Sequence, residues 1–505
     1  MNKTSLTPAE QRFIEAGNNW IDQHRDGILE LLTELVNRQS LSGSEGTADD
    51  PTSVVGHLWN RLQAETTYTA LERQQIPQNV DYAEHPRENI YATIEGSSDD
   101  TVILTTHTDI VAEGRVDAWP NNTPFEPTEG IAEYVDDNEI RLQTGSVTKH
   151  GSIRDQMDRV WKMRDQDTKP VLIGRGVYDN KASIACLFGM LCGIEAGLSS
   201  HGLQLNGNVV HGHLVDEEIG QLGIKAMVGW DTMDGWLDTT PFADTVGVVL
   251  EGSYGFVPVI AHRGLAWITL RAEGESTHAA TPHLGHNPVV AMGKALAELE
   301  SNSFKQEFST LFYDDPILGT PTVAPGTTIA SEGIHSVQGD TIDRSDLNTV
   351  PSWCEATLDV RVPRWKGFPE ERADILTQMA NKVEIAANRM SDDVEFTATA
   401  ATEDFFPPIA IAETNEKAQS HPLVDVARES TNHTLGYSPE TEIAPGVTDA
   451  TFLYHGTRAP TLVEYGPAGA WSHEPWEFVE TEQVIDGAKT LLELSVRRLG
   501  VTATE

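Results

Sequence analysis

At 505 residues the chain is too long for one ordinary core, and two domains are the default. An apolar content of 39% marks a globular chain and excludes a disordered one. Its 35 basic and 77 acidic residues give a net charge of −42, which repels nucleic acid and anionic membranes. The acid is spread along the chain and not gathered in a tail. Such a surface suits a salt-loving organism, because a Debye length of about 3 Å at roughly 1 M salt screens the repulsion; an ordinary acidic cytosolic protein is the plainer alternative. The first twenty residues lack an apolar h-region and a small-residue cleavage site, so no secretory signal is expected. Cys186, Cys192 and Cys354 form no ligand-like cluster; the first two sit in an apolar stretch and read as core thiols of a reducing cytoplasm.

In chain order, residues 7–38 read as helix, with Phe13, Ile14, Trp20, Ile21, Ile28, Leu31, Leu32 and Leu35 at helical spacing. Strands are expected at 89–94, 101–106, 208–215 and 245–250, with helices at 51–66, 180–196 and 220–229 between them. That alternation predicts an α/β domain with a mostly parallel sheet and helices on both faces. The mostly apolar stretch 182–195 is shorter than the roughly 20 residues a bilayer requires and carries Ser183 and Glu195, so it is expected to be a buried core helix. Residues 130–170 are acidic and polar and are expected to form a surface excursion or a specificity loop. From about Val259 the texture changes. Residues 260–274 and 352–362 alternate as antiparallel strands do, with helices at 287–299 and 369–389 and a strand at 394–399. A strand–helix–strand–strand–helix–strand insert, ferredoxin-like in type, is predicted over 259–405. It would interrupt a larger domain formed by 1–258 and 406–505. The first texture resumes with a strand at 459–465 and a closing helix at 481–499.

Polar residues gather where these strands end, which is where open parallel sheets collect ligands. The strand 101–106 runs into His107-Thr-Asp109. Residues i and i+2 of a strand share a face, so the Asp109 carboxylate can fix the imidazole of His107. The strand 208–215 ends in Asp216-Glu217-Glu218, and 245–250 ends in Glu251. Gly174-Arg-Gly-Val-Tyr-Asp179-Asn-Lys leads into the apolar helix, and Trp471-Ser-His473-Glu follows the last strand. Singly, each also fits a plainer role: Asp179 as a helix N-cap, Glu217 and Glu218 as a solvated loop, His473 as a surface histidine. Their coincidence at strand ends is hard to obtain by chance.

In this order the segments resemble a co-catalytic zinc amidohydrolase family that includes aminoacylase-1, carboxypeptidase G, acetylornithine deacetylase and succinyl-diaminopimelate desuccinylase. The resemblance implies two divalent metals, zinc before cobalt or manganese, bridged by Asp179. One would also be held by His107 and Glu251, the other by Glu218 and His473. It further implies Glu217 as general base, Asp109 as the group that orients His107, and a cis peptide bond after Asp179. Gly274-Glu-Ser-Thr-His278 and the preceding Ala261-His-Arg-Gly264 resemble the start of that family's dimerisation (lid) domain. The resemblance then places His278 in the partner subunit's site of a homodimer, and gives Asn348 and Arg361 substrate-binding roles, with Arg361 on a substrate carboxylate. Gly446-Val-Thr-Asp449 resembles a loop near the catalytic centre.

The activity so implied is hydrolysis of an amide bond in N-acyl amino acids or small peptides with a free carboxylate. A deacylase comes first and a di- or carboxypeptidase second. A reading of another class is a non-catalytic binding protein that keeps the fold. Retention of Glu217 argues against it, since a binder has no use for a proton shuttle.

Overall fold

The computed structural model describes residues 5–77, 80–83, 85–136, 138–164, 168–231, 233–237, 244–331, 348–368 and 371–503. Two compact units divide the chain: Met1–Ala261 with Ile411–Ala444 and Thr448–Glu505, and His262–Ala410 with Pro445–Val447. The sequence pattern set the middle segment at 259–405.

The first unit holds two six-stranded sheets. One has the order Ala70–Gln75, Glu88–Ile94, Asn208–Leu214, Thr101–His107, Val246–Val249, Thr461–Leu462. Its last four strands are mutually parallel. Within this mostly parallel sheet Glu88–Ile94 alone is reversed, running antiparallel to both its neighbours. The reason lies in the connection: residues 95–100 are too few for the crossover of a dozen or more that a parallel return needs. Val102, Ile103 and Leu104 are fully buried, as befits a central strand covered on both faces.

The second sheet is antiparallel throughout, with the order Gly469–Ala470, Phe478–Glu480, Thr168–Ile173, Thr128–Asp136, Glu139–Thr144, Val147–Ser152. The segment expected as a loop excursion over 130–170 is therefore mostly sheet, plus the helix Asp155–Lys162. Its composition concealed this because only one face is dry. Ala132, Ile140, Leu142, Val171 and Ile173 pack with Met157, Trp161, Trp476 and Phe478, while most other positions are polar and a few apolar ones, Ile131, Val135 and Val147, stay exposed.

The helices follow from their patterning. The stretch read as one helix over 7–38 is two, Pro8–Gln23 and Arg25–Val36, broken at His24. The first begins in a capping box in which Thr7 and Glu10 satisfy each other's backbone N–H groups. Ala182–His201, apolar all round, lies in the core against the first helix and the closing helix Thr481–Leu499. A Cβ on Gly17 would lie 2.4 Å from Leu492 and 2.7 Å from the Gly193 carbonyl oxygen, so the backbones cross in contact. Among the described residues, one helical stretch, Val177–Ser200, is long and apolar enough to cross a membrane; 83% of its apolar window is buried inside the protein. All three cysteines are free and buried.

In the second unit a four-stranded antiparallel sheet has the order Thr322–Ser331, Trp353–Val362, Gly264–Glu273, Glu395–Phe406. The helices Pro288–Leu299 and Arg372–Asn388 complete a strand–helix–strand–strand–helix–strand succession. The strand Thr322–Ser331 had no counterpart among the segments read from the sequence. The expected helix start at 369–370 lies outside the described residues. Every second residue of the two central strands is buried: Ala266, Ile268, Leu270 and Ala272 on one, Cys354, Ala356, Leu358 and Val360 on the other.

Candidate active site

His107 closes its strand and is 1% exposed. Its Nδ1–H donates to the Asp109 carbonyl oxygen at 3.0 Å, with the Asp109 carboxylate at 3.4 Å. That contact leaves Nε2 as the free nitrogen. It points at Asp179 Oδ1, 3.1 Å away, and Glu251 Oε1, 3.3 Å away. On the other side of Asp179, His473 Nε2 lies 3.3 Å from Oδ2 and 3.1 Å from Glu218 Oε2. The single carboxylate of Asp179 therefore gives one oxygen to each of two histidine–glutamate pairs. His107, Glu218 and Glu251 come from carboxyl ends of the parallel strands. Asp179 and His473 come from loops of the antiparallel sheet. His473 lies in the turn between Gly469–Ala470 and Phe478–Glu480, and not directly behind a strand of the parallel sheet as the sequence order suggested.

Local chemistry places Asp179. Gly176 adopts φ +75°, and a Cβ there would lie 2.4 Å from Ile110, so only glycine makes this turn freely. The Asp179–Asn180 peptide bond is cis. Asn180 Nδ2 donates to the Leu250 carbonyl at 2.5 Å, which ties the loop to the residue before Glu251. Beneath the loop sits Glu477, fully buried. Its carboxylate accepts from Arg175 Nη1 (2.5 Å) and from the backbone N–H groups of Gly176 (3.1 Å), Tyr178 (2.9 Å) and Asp179 (3.0 Å). Sequence reasoning missed Glu477. The signal was there in Trp476-Glu477-Phe478, an acid between two aromatics, a poor place for a solvated side chain.

Asp109 does more than face His107. Its Oδ1 accepts the Glu217 N–H at 3.0 Å, and its Oδ2 accepts the Glu218 N–H at 3.1 Å and the Ser42 hydroxyl at 2.7 Å. One buried carboxylate thus holds the turn that presents both glutamates. Gln221 donates to Glu217 Oε1 at 3.1 Å. Behind them, Asp216 takes the buried Arg87 at 2.7 Å and donates its N–H to Glu45 at 2.9 Å. Neither Ser42 nor this network was singled out from the sequence.

The acids crowd one another. Burial, with Glu251, Asp449 and Glu218 near, pushes Glu217 well above the usual carboxylate range. Burial and the neighbouring Asp179 lift Glu218 to about 7, and burial lifts Glu251 to about 6. Burial likewise raises Asp449, which stands beside Glu251 and Asp109. Burial would raise Asp179 too, but hydrogen bonds from His107 and His473 hold it well below its ordinary value. Burial opposes the His107 imidazolium, yet Glu251, Asp109 and Asp179 outweigh it and raise its pKa. Hydrogen bonds to Asp179 and Glu218 raise His473 to about 10. Positive charge is what this cluster lacks, and without metal the two histidines supply it as protons. Glu218 Oε1 is buried with no hydrogen-bond partner, as suits a group built for a cation. His107, Asp179 and Glu218 alone offer three ligand atoms within 4.8 Å of one another. Imidazole and carboxylate donors fit a borderline divalent metal.

In the second unit, the strand pair Thr277–His278 and Thr349–Val350 brings two of the expected residues together: Asn348 Nδ2 is 3.2 Å from His278 Nε2. Arg361 makes a two-pronged pair with Asp359, at 2.8 and 3.1 Å. A substrate carboxylate would have to compete with Asp359 for it.

Comparison with known proteins places the chain among metal-binding hydrolases. The model of Peptidase family M20/M25/M40 matches residues 154–497, and the chain belongs to that family. Succinyl-diaminopimelate desuccinylase from Xanthomonas euvesicatoria pv. vesicatoria (strain 85-10) is 24% identical over 400 residues, covering 78% of this chain and 82% of the relative. Among solved structures, a dipeptidase from Saccharomyces cerevisiae superposes with a TM-score of 0.62 at 13% identity, covering 96% of this chain and 98% of that one. A dinuclear metal-binding peptidase of the same family from Bacillus subtilis gives a TM-score of 0.54 at 14% identity, covering 95% and 99%. At those identities the two structures bear on the fold. Family membership makes the chain an enzyme, a hydrolase of the metallopeptidase and amidohydrolase type.

Proposed function

We propose that the protein hydrolyses an amide bond in N-acyl amino acids or small peptides that carry a free carboxylate, at a centre of two metals. The observation that carries this is the division of the Asp179 carboxylate, Oδ1 to His107 and Glu251, Oδ2 to His473 and Glu218. Those five residues would hold two divalent ions, zinc first, with cobalt or manganese as alternatives. Bound there, the ions would supply Lewis acidity toward the amide carbonyl and lower the pKa of a water.

Glu217 takes the proton of the attacking water and returns it to the leaving amine. Burial and the acids around it raise its affinity for a proton, which favours its taking one from water. Asp109 keeps the backbone of Glu217 and Glu218 in register and orients His107. His278, beside Asn348, stabilises the developing oxyanion of a partner subunit's substrate within a homodimer. Arg361 binds the substrate carboxylate with both prongs, in exchange for Asp359. A deacylase is favoured over a di- or carboxypeptidase because the sequence relatives are desuccinylases.

The test is a panel of N-acetyl, N-formyl and N-succinyl amino acids and dipeptides, assayed at high salt with the parent and Glu217→Gln. Turnover of acyl amino acids by the parent, lost in the variant, is expected. Faster cleavage of dipeptides moves the assignment to a peptidase. Equal rates for parent and variant remove Glu217 as base. Mixing inactive His278→Ala with inactive Glu217→Gln subunits restores activity if His278 acts across the dimer.

A further inference from the structure

The site's histidines are held very differently. His107 is 1% exposed and sits in a central strand, whereas the His473 side chain is 54% exposed on a turn. That turn holds three bulky residues with left-handed backbone, Trp471 (φ +64°), His473 (φ +64°) and Trp476 (φ +70°). Non-glycine residues keep such conformations only where their surroundings over-determine them. Within the turn the Glu474 N–H donates to the Trp471 carbonyl at 3.0 Å. Other holds come from outside it. The Trp476 indole donates to the Ala118 carbonyl at 2.9 Å, and Glu477 grips the Asp179 loop as described above. The remaining holds come from the edge strand Val147–Ser152. Trp471 Nε1–H donates to the Ser152 carbonyl at 2.8 Å. Lys149 Nζ donates to the Pro475 carbonyl at 2.6 Å and lies 4.2 Å from the centre of the Trp471 ring. The same indole fills the space over Gly151, where a Cβ would lie 2.4 Å from it. These contacts join the two edges of the antiparallel sheet, Gly469–Ala470 and Val147–Ser152, across the turn that carries His473.

We infer that the strand Val147–Ser152, through Lys149, Gly151 and Ser152, is a clamp that positions His473 and so sets the affinity of the Asp179–Glu218–His473 metal position without touching metal or substrate. The inference rests on the two-metal reading. Lys149 and Gly151 are positioning residues, and their effect falls mainly on one metal. The His107–Glu251 position shares Asp179 but draws its other two ligands from the parallel strands, so the clamp bears on it far less. Outer partners that orient a ligand are worth about 10–100-fold in metal affinity.

The experiment is a Co²⁺ titration of metal-stripped full-length protein, followed by visible absorption and by equilibrium stoichiometry. It compares the parent, Lys149→Met and Gly151→Ala. Lys149→Met keeps the stem and loses the donor and charge. Gly151→Ala leaves Lys149 intact and displaces the indole. Unfolding midpoints of the metal-stripped variants report any general loss of structure, and the milder Gly151→Ala keeps the test usable if Lys149→Met folds poorly. The clamp predicts that one Co²⁺ binds as in the parent and the other binds about 10–100-fold more weakly in both variants. Two Co²⁺ bound with parental affinity in both variants overturn it, and so does equal weakening of both positions. A parent that binds fewer than two Co²⁺ marks a different failure, that of the two-metal reading itself.

Discussion

Glu477→Ala is the sharpest test of how the Asp179 loop is held. The carboxylate is fully buried and serves four donors, the Arg175 guanidinium and the N–H groups of residues 176, 178 and 179. Burial pushes its pKa up against the pull of Arg175, so the ion pair alone is not the source of stability. The cost of removal lies in what is stranded. Arg175, 1% exposed, loses its carboxylate, and breaking a buried pair from one side costs about 3–5 kcal/mol. Three orphaned N–H groups would add about 1 kcal/mol or more each if dry, but water entering the space of the lost side chain recovers part of that. The expected loss is about 4–6 kcal/mol, a large share of the roughly 5–15 kcal/mol by which folded proteins are stable. Glu477→Gln keeps one acceptor oxygen and should lose about half as much. Urea unfolding of the metal-stripped protein at high salt measures both. A loss below about 1 kcal/mol for the alanine variant would refute the reasoning, because it would mean the four donors find other partners.

Three further outcomes follow from the same site. Glu217→Gln should lower kcat by about 10²–10⁴-fold while metal stoichiometry stays at the parent's value; a parallel loss of metal would make Glu217 a ligand and not a base. In the metal-stripped protein, His473 (raised to about 10) and Glu218 (raised to about 7) both bind protons more tightly folded than unfolded. Stability should therefore fall as pH rises, through about 4.5–7 for Glu218 and about 6.5–10 for His473, and added divalent metal should flatten the slope. Thermal unfolding with and without chelator reads this directly, and a chelated protein that gains stability over that range contradicts it. With a net charge of −42, the thermal midpoint should climb between low salt and about 1 M KCl as self-repulsion is screened; an unchanged midpoint removes the salt-loving assignment.

Much of this was legible in the sequence, and for physical reasons. His107, Asp179, Glu217, Glu218 and Glu251 stand next to apolar runs that bury, and burial fixes where a strand or helix ends. The closing helix Thr481–Leu499 and the apolar helix Ala182–His201 were equally plain from periodicity. The second sheet was hidden because its last two strands, Glu139–Thr144 and Val147–Ser152, bury few side chains and read as polar loop. The strand Thr322–Ser331 was hidden in the same way, as a largely exposed edge. Glu477 could not be found from chemistry-bearing motifs, since its partners are mostly backbone N–H groups, which any sequence supplies. The second task of Asp109, holding Glu217 and Glu218, depends on a turn 108 residues away and has no local signature.

The central claim is that Asp179 bridges two metals. Anomalous diffraction from crystals of the Co²⁺- or Zn²⁺-loaded protein tests it most directly. The account predicts two peaks about 3.5–4 Å apart, both within reach of Asp179, one beside His107 and Glu251 and the other beside Glu218 and His473. A single peak, or two peaks that do not share Asp179, would contradict it.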